Sequence, residues 1–180
     1  MPSIISHPIV PVSIACLVGA EIIPPRLILV GGVASVLPDA DVLGYWLGIP
    51  YDHLFGHRGF SHSPAFALLI ALVGLFFWRR LGGTPLSVFV FLFLSVASHG
   101  LLDAATNGGL GVAFLSPFSN ERFFLPWQPI LVSPMAVNRF FTAQGWVLVQ
   151  SELMWIWLPF LALGGLGLLI RNAARWLTNR

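Results

Sequence analysis

Ser63-Pro64-Ala65-Phe66-Ala67-Leu68-Leu69-Ile70-Ala71-Leu72-Val73-Gly74-Leu75-Phe76-Phe77-Trp78-Arg79-Arg80 is the stretch that decides the fold. Ser63 suits a helix N-cap, and Pro64 suits the first helical position, where its missing N–H costs nothing. From Ala65 to Trp78 there is no charged residue, and the run stops at Arg79-Arg80. Such a run reads as a membrane helix closed by an arginine anchor. Leu81-Gly82-Gly83 then makes a turn. Thr84-Pro85 repeats the opening signal and starts a second apolar helix that reaches about Asp103. A third span runs over about 147–170, interrupted only by Glu152 and Pro159.

Two earlier apolar runs, over 8–20 and 26–37, are shorter. Glu21-Ile22-Ile23-Pro24-Pro25 separates them. A full span needs ~20 residues. Length therefore favours two short helices over a re-entrant hairpin. The fold class that follows is all-α: an integral membrane helical bundle of about five membrane helices, the first two short, forming a single domain over 1–180.

Composition agrees. The chain is 57% hydrophobic and only 9% charged, against about 25% charged in soluble domains. Lipid, rather than water, must cover most of its surface. There is no lysine, and nine arginines against seven acids leave a net charge of +2. That is too little and too scattered for a nucleic-acid surface. The lone Cys16 cannot form an internal disulfide. Residues 1–13 hold no Lys or Arg, so they do not read as a signal peptide.

Arginines set the expected orientation. If the helices alternate, Arg26, Arg79, Arg80, Arg171, Arg175 and Arg180 share one side, and Arg58, Arg122 and Arg139 the other. The richer side reads as cytoplasmic, together with the C-terminus. The Asp/His/Gly-rich stretch 39–63 and the long loop 107–145 then face outward. That loop carries Pro117, Pro126, Pro129 and Pro134 with Phe123, Phe124 and Trp127. It is too proline-broken for a helix and apolar enough to lie at headgroup level.

Every acid and histidine except Glu21 maps to that outer face or just inside it. Ionisable groups at membrane depth are costly and usually functional. His99 and Asp103, four apart on a helix, share one face. Asp39 and Asp41 follow Pro38 at a helix end, where both carboxylates can turn toward one cation. His57 and His62 lie just before the start of the next helix, one in the loop and one near the cap, with Arg58 between them as a fixed positive fork. His7 precedes the first apolar run. Asp52 and His53 sit mid-loop without partner spacing, and Glu121-Arg122 reads as a solvated loop tip. Glu152 reads either as a late ligand or base, or as an interfacial polar residue. Several segments thus bring N and O ligands, and no Cys, to one face. That set suits zinc or another borderline-to-hard divalent ion.

Gly56-His57-Arg58-Gly59-Phe60-Ser61-His62-Ser63 resembles the G-H-R-G-x-[ST]-H-S signature of the YdjM-like family. Pro38-Asp39-Ala40-Asp41 resembles its P-D-x-D. Ser98-His99-Gly100-Leu101-Leu102-Asp103 resembles its S-H-x-x-x-D, continued by Thr106 and Pro117, and His7 matches its early histidine. The resemblance covers His7 to about Pro126. It implies a bacterial or archaeal inner-membrane protein regarded as a metal-dependent hydrolase. More distantly, the family is similar to zinc-dependent phospholipase C and single-strand nucleases, which suggests phosphoester chemistry. No His-x-x-x-Glu pair of those relatives is matched here.

The leading expectation is a multi-pass membrane hydrolase with one or two zinc-like ions held by some subset of His7, Asp39, Asp41, His57, His62, His99 and Asp103. Asp41 or Asp103 would take the proton of the attacking water, and Arg58 would steady an anionic group. A lipid or lipid-linked substrate would arrive from the bilayer. Oligomeric state is not legible. One rival is a metal-free lipid-phosphate phosphatase with His99 as nucleophile and Asp103 as its orienter. It wants several cations around the phosphate, and only Arg58 qualifies. Another rival is a metal or proton transporter. Its ionisable groups should line a route through the membrane, not gather at one end.

Overall fold

The computed structural model describes residues 1–133 and 142–178. Pro134, Arg139 and Arg180 of the expectations above lie outside these residues. Among the described residues the chain is all-helical. In order come α1 (Ile9–Val18), α2 (Pro25–Val36), α3 (Leu43–Trp46), α4 (Pro64–Leu75), α5 (Trp78–Leu81), α6 (Pro85–Ala104), α7 (Ala143–Glu152) and α8 (Leu158–Thr178).

The capping signals act as expected. Ser63 Oγ accepts from the Phe66 amide at the start of α4, and Thr84 with Ser87 forms a reciprocal capping box on α6. Span lengths differ from expectation in two places. The second early run is not short: α2 passes through a 3-10 turn (Leu37–Val42) into α3, giving a 22-residue apolar stretch from Pro25 to Trp46. A 3-10 turn tolerates Pro38 because proline is accommodated in a first turn. Conversely, α4 has only 12 residues, since the chain bends at Phe76-Phe77 before the arginines. The stretches long and apolar enough to cross a bilayer are Pro25–Trp46, Pro85–Ala104 and Ala143–Thr178. The last joins α7 to α8 through one π-helical turn, Leu153–Trp157.

α6 is the central post, packed on α2 and α4, while α1 packs on α8. Leu27, Ala67, Ala71, Val88, Phe91 and Leu92 are buried between them. Glycines set the closest approaches. A Cβ at Gly31 would overlap the Phe91 ring, and one at Gly167 would overlap the Leu17 backbone. Membrane helices use small residues in this way because lipid offers no hydrophobic drive to association. Leu68, Leu69, Leu72, Leu161 and Leu169 stay exposed on the outside of the bundle, as a lipid-facing surface should.

One end of the bundle gathers arginines. Arg175 pairs with Glu21, Arg171 donates to the Cys16 carbonyl, and Arg26 donates to the Arg80 carbonyl at 3.4 Å. The common side read from the sequence is therefore one physical end. The polar site occupies the other end.

Glu152 is neither an interfacial group nor within the metal-ligand clusters. It is 3% exposed and accepts from the Ser3 amide at 2.5 Å, from the Ser3 hydroxyl, and from Ser6 Oγ at 2.5 Å. Trp157 Nε1 also donates to Ser6 Oγ at 2.8 Å. This clamp ties the segment before His7 to the last helix. Glu152→Ala should lower stability by about 1–3 kcal/mol for each buried donor left unpaired. Thermal unfolding of the purified variant measures it, and an unchanged transition would show that the clamp is dispensable.

Candidate metal centre

α6 turns one face inward, and on it His99 and Asp103 are fully buried. His99 Nδ1 lies 2.7 Å from the Ser35 carbonyl at the end of α2. As the donor in that bond, Nδ1 leaves Nε2 as the free lone pair. Nε2 points to Asp39 Oδ1 at 3.3 Å and to His62 Nε2 at 3.1 Å. Gly100, next along α6, allows this approach, because a Cβ there would overlap the His62 carbonyl.

Asp39 sits in the 3-10 turn after α2. Its Oδ1 is 3.8 Å from His62 Nε2, and its Oδ2 is 4.0 Å from His7 Nε2. Asp103 closes the group, with Oδ1 3.9 Å from His7 Nε2 and Oδ2 3.5 Å from His62 Nε2. Asp39, His62, His99 and Asp103 each bring one ligand atom within 4.8 Å of the others. Both oxygens of Asp39 and both of Asp103 are buried without a hydrogen bond, as are both ring nitrogens of His7. Burial and the neighbouring His99, on which its ring stacks at 3.7 Å, push the His7 imidazole down to about 3. It is therefore neutral and has its lone pair available.

The two carboxylates after Pro38 part company. The sequence points Asp41 toward the same cation as Asp39. Instead its Oδ1 meets His57 Nδ1 at 2.7 Å, and its Oδ2 meets His62 Nδ1 at 3.1 Å and accepts from Ser61 Oγ at 2.5 Å. Asp41, His57 and His62 thus form a second group that shares His62 with the first. A carboxylate on the outer nitrogen of a histidine fixes its ring and raises its basicity as a ligand. Burial alone would lower the His62 imidazole, but its contacts with Asp103, Asp39 and Asp41 outweigh this and hold it up at about 10.

Charge summarises the geometry. Asp39, Asp41 and Asp103 gather around one guanidinium, Arg58, which pairs with Asp103, so the other two carboxylates depend on a protonated His62 or on a bound cation. Buried charge must be paired or coordinate a metal. A divalent cation matches both the deficit and the N/O ligand set, so the residues present fit such an ion.

Arg58 departs from its expected place against an anionic substrate group. It is 1% exposed, with Nε 3.0 Å from Asp103 Oδ2. Its Nη1 donates to the Gly108 carbonyl at 2.7 Å, and Nη2 donates to Thr106 Oγ1 at 3.0 Å. Its backbone is left-handed (φ 62°), which turns the side chain inward beneath the loop. Nothing in the sequence marks Thr106 and Gly108 as partners of Arg58, because only the folded loop brings them to the fork. Arg122 also differs from a solvated tip: it donates to the carbonyls of His57 and Tyr51, each at 2.8 Å, and braces the two outer loops. Glu121, Asp52 and His53 remain outside the cluster, as read.

These residues lie within a recognisable chain. The family described as YdjM inner membrane protein matches residues 1–176. The chain belongs to the YdjM inner membrane protein family. Inner membrane protein YbcI of Escherichia coli (strain K12) is 47% identical over 167 residues, covering 92% of this chain and 96% of that protein. No solved structure matches this chain. The YdjM match runs past the segment carrying the sequence motifs and takes in α7 and most of α8, including Glu152.

Proposed function

We propose that this protein is a membrane-embedded, metal-dependent hydrolase acting on phosphoester or other ester bonds of lipid or lipid-linked substrates. The observation that supports it most is the convergence of the four buried carboxylate oxygens of Asp39 and Asp103, none of them hydrogen-bonded and only Asp103 Oδ2 paired with Arg58, on the Nε2 atoms of His7, His62 and His99. Asp39, His62, His99 and Asp103 would hold a zinc-like ion, with His7 beside them. Such an ion supplies Lewis acidity, polarising an ester oxygen and acidifying water toward a pKa of about 7. Asp41 fixes the His62 ring from behind. Its Oδ1, hydrogen-bonded to His57 Nδ1, is placed to accept a proton, and the pair can share it. Arg58 acts as a positioning residue that holds Asp103 in register.

The metal-free phosphatase is less well supported. His99 is oriented by the Ser35 carbonyl rather than by Asp103, and Arg58 has its donors engaged internally. A transporter would need polar groups through the bundle, yet the core between α2, α4 and α6 is apolar.

Purified protein, assayed on phospholipid and phosphodiester panels, should release product, lose it to a chelator and regain it with Zn²⁺. Chelator-insensitive hydrolysis would transfer the case to the metal-free phosphatase. We also place the site on the outer face, with the C-terminus in the cytoplasm. A cysteine introduced at Glu121 should label from outside intact cells and one at Thr178 should not, while the reverse pattern would invert the orientation.

A further inference from the structure

The ligand cluster is closed to water on every side described. His7, His99 and Asp103 are fully buried, and His62, His57 and Asp39 nearly so. Asp41 is the least enclosed member, a partly exposed residue whose side chain is 7% exposed. It lies on the wall of a cavity of about 430 Å³ between the 3-10 turn after α2, the loop before α4, and α4 itself. That size falls within the ~300–1,000 Å³ of small-ligand sites.

The cavity is two-sided in chemistry. One end is lined by Asp41 and Ser61. Ser61 Oγ is 2.5 Å from Asp41 Oδ2 and 3.0 Å from His62 Nδ1, so the metal-ligand cluster begins one side chain behind this wall. The remainder is hydrocarbon and aromatic: Leu37, Phe55, Phe60, Phe66 and Ile70. Phe60 stacks edge-on against both Phe55 and Phe66. Phe66 and Ile70 are successive turns of α4, ~6 Å apart along its axis. Leu37 and Phe55 stay exposed, at 40% and 57%, and the neighbouring face of α4 (Leu68, Leu69 and Leu72) is exposed as well. The cavity is therefore continuous with the lipid-facing surface. By contrast, the larger apolar cavity between α1, α6 and α8, about 640 Å³, has no ionisable residue in its lining.

We propose that the cavity beside Asp41 seats the hydrocarbon chain of a membrane lipid, along α4 past Phe66 and Ile70, with the lipid's ester or phosphoester end at Asp41 and Ser61. This rests on the hydrolase reading above and names its substrate class: a lipid entering sideways from the bilayer, rather than a water-soluble ester. A polar substrate would find a hydrocarbon passage in front of the carboxylate, whereas an acyl chain finds apolar walls.

The test reconstitutes the full chain in vesicles containing a phosphatidylglycerol with a diazirine on one acyl chain, and maps the crosslinks by peptide mass spectrometry. Label is expected at Phe60, Phe66 and Ile70 as well as at the outer control Leu69. Ile70→Trp, or Leu37→Trp should the first fail to fold, fills the cavity. Either should cut label at Phe60 by about tenfold while leaving Leu69 labelled and metal content unchanged. Equal labelling of Phe60 in the wild-type and filled forms, or none in the wild type, overturns the proposal. Metal content in the same samples separates the two claims. Metal without cavity label sinks the lipid seat alone, and cavity label without metal sinks the hydrolase reading alone.

Discussion

Arg58→Ala should destabilise the protein by about 3–5 kcal/mol, the range for removing one member of a buried ion pair. The guanidinium is held in three directions, by Asp103, Thr106 and Gly108. Without it, the buried Asp103 Oδ2 would lose its closest cationic partner and keep only the His62 ring at 3.5 Å, and the Gly108 carbonyl would lose its 2.7 Å donor. Arg58→Lys should recover only part of this, because an ammonium cannot span three acceptors set out for a planar fork. The neighbouring Gly109 sharpens the point: its φ is +90°, and a Cβ there would lie 2.8 Å from Arg58 Nη1. The pocket for this side chain is built to its outline. Denaturant unfolding of wild type and both variants measures the effect. A variant as stable as wild type with activity alone reduced would return Arg58 to the substrate-facing role that the sequence suggested.

His99→Ala should weaken metal binding by more than about 100-fold, since loss of an outer-shell partner alone typically costs 10–100-fold. His99 is the best-fixed of the candidate ligands. The Ser35 carbonyl holds one nitrogen at 2.7 Å, and the other faces Asp39 and His62. Asp103→Asn should lose metal to a similar degree, because an amide is neutral and its oxygen is a poorer ligand than a carboxylate. Ser35, by contrast, acts through its backbone, so Ser35→Ala should leave metal binding intact. Metal analysis of the purified variants decides it. Metal retained in full by His99→Ala would mean that the cluster is a hydrogen-bonded polar core and not a binding site.

Much of the site was legible because helix periodicity is local. His99 and Asp103, four apart, had to share a face, and the Ser63-Pro64 and Thr84-Pro85 signals located the helix starts. Arginine asymmetry placed one end of the bundle, and Arg175–Glu21 and Arg26–Arg80 contacts now join those segments. What was not legible depends on turns and tertiary reach. Asp39 and Asp41 read as a pair, yet a 3-10 turn sends alternate side chains to different neighbours, so they serve two linked groups. Pro38 looked like the end of a short helix, whereas the turn it opens lets α2 continue to Trp46. Arg58 looked free because its loop partners lie 48 and 50 residues away. Glu152 was ambiguous for the same reason: its partners, Ser3 and Ser6, lie at the far end of the chain.

A divalent cation among Asp39, His62, His99 and Asp103 is tested most directly by the metal per chain of wild-type protein. That protein should be purified in mild detergent without added metal or chelator and read by plasma mass spectrometry. The expected result is about one divalent ion per chain, or about two if the Asp41, His57 and His62 group fills as well. Folded protein that carries no divalent ion, and takes up none when zinc is supplied, would contradict it.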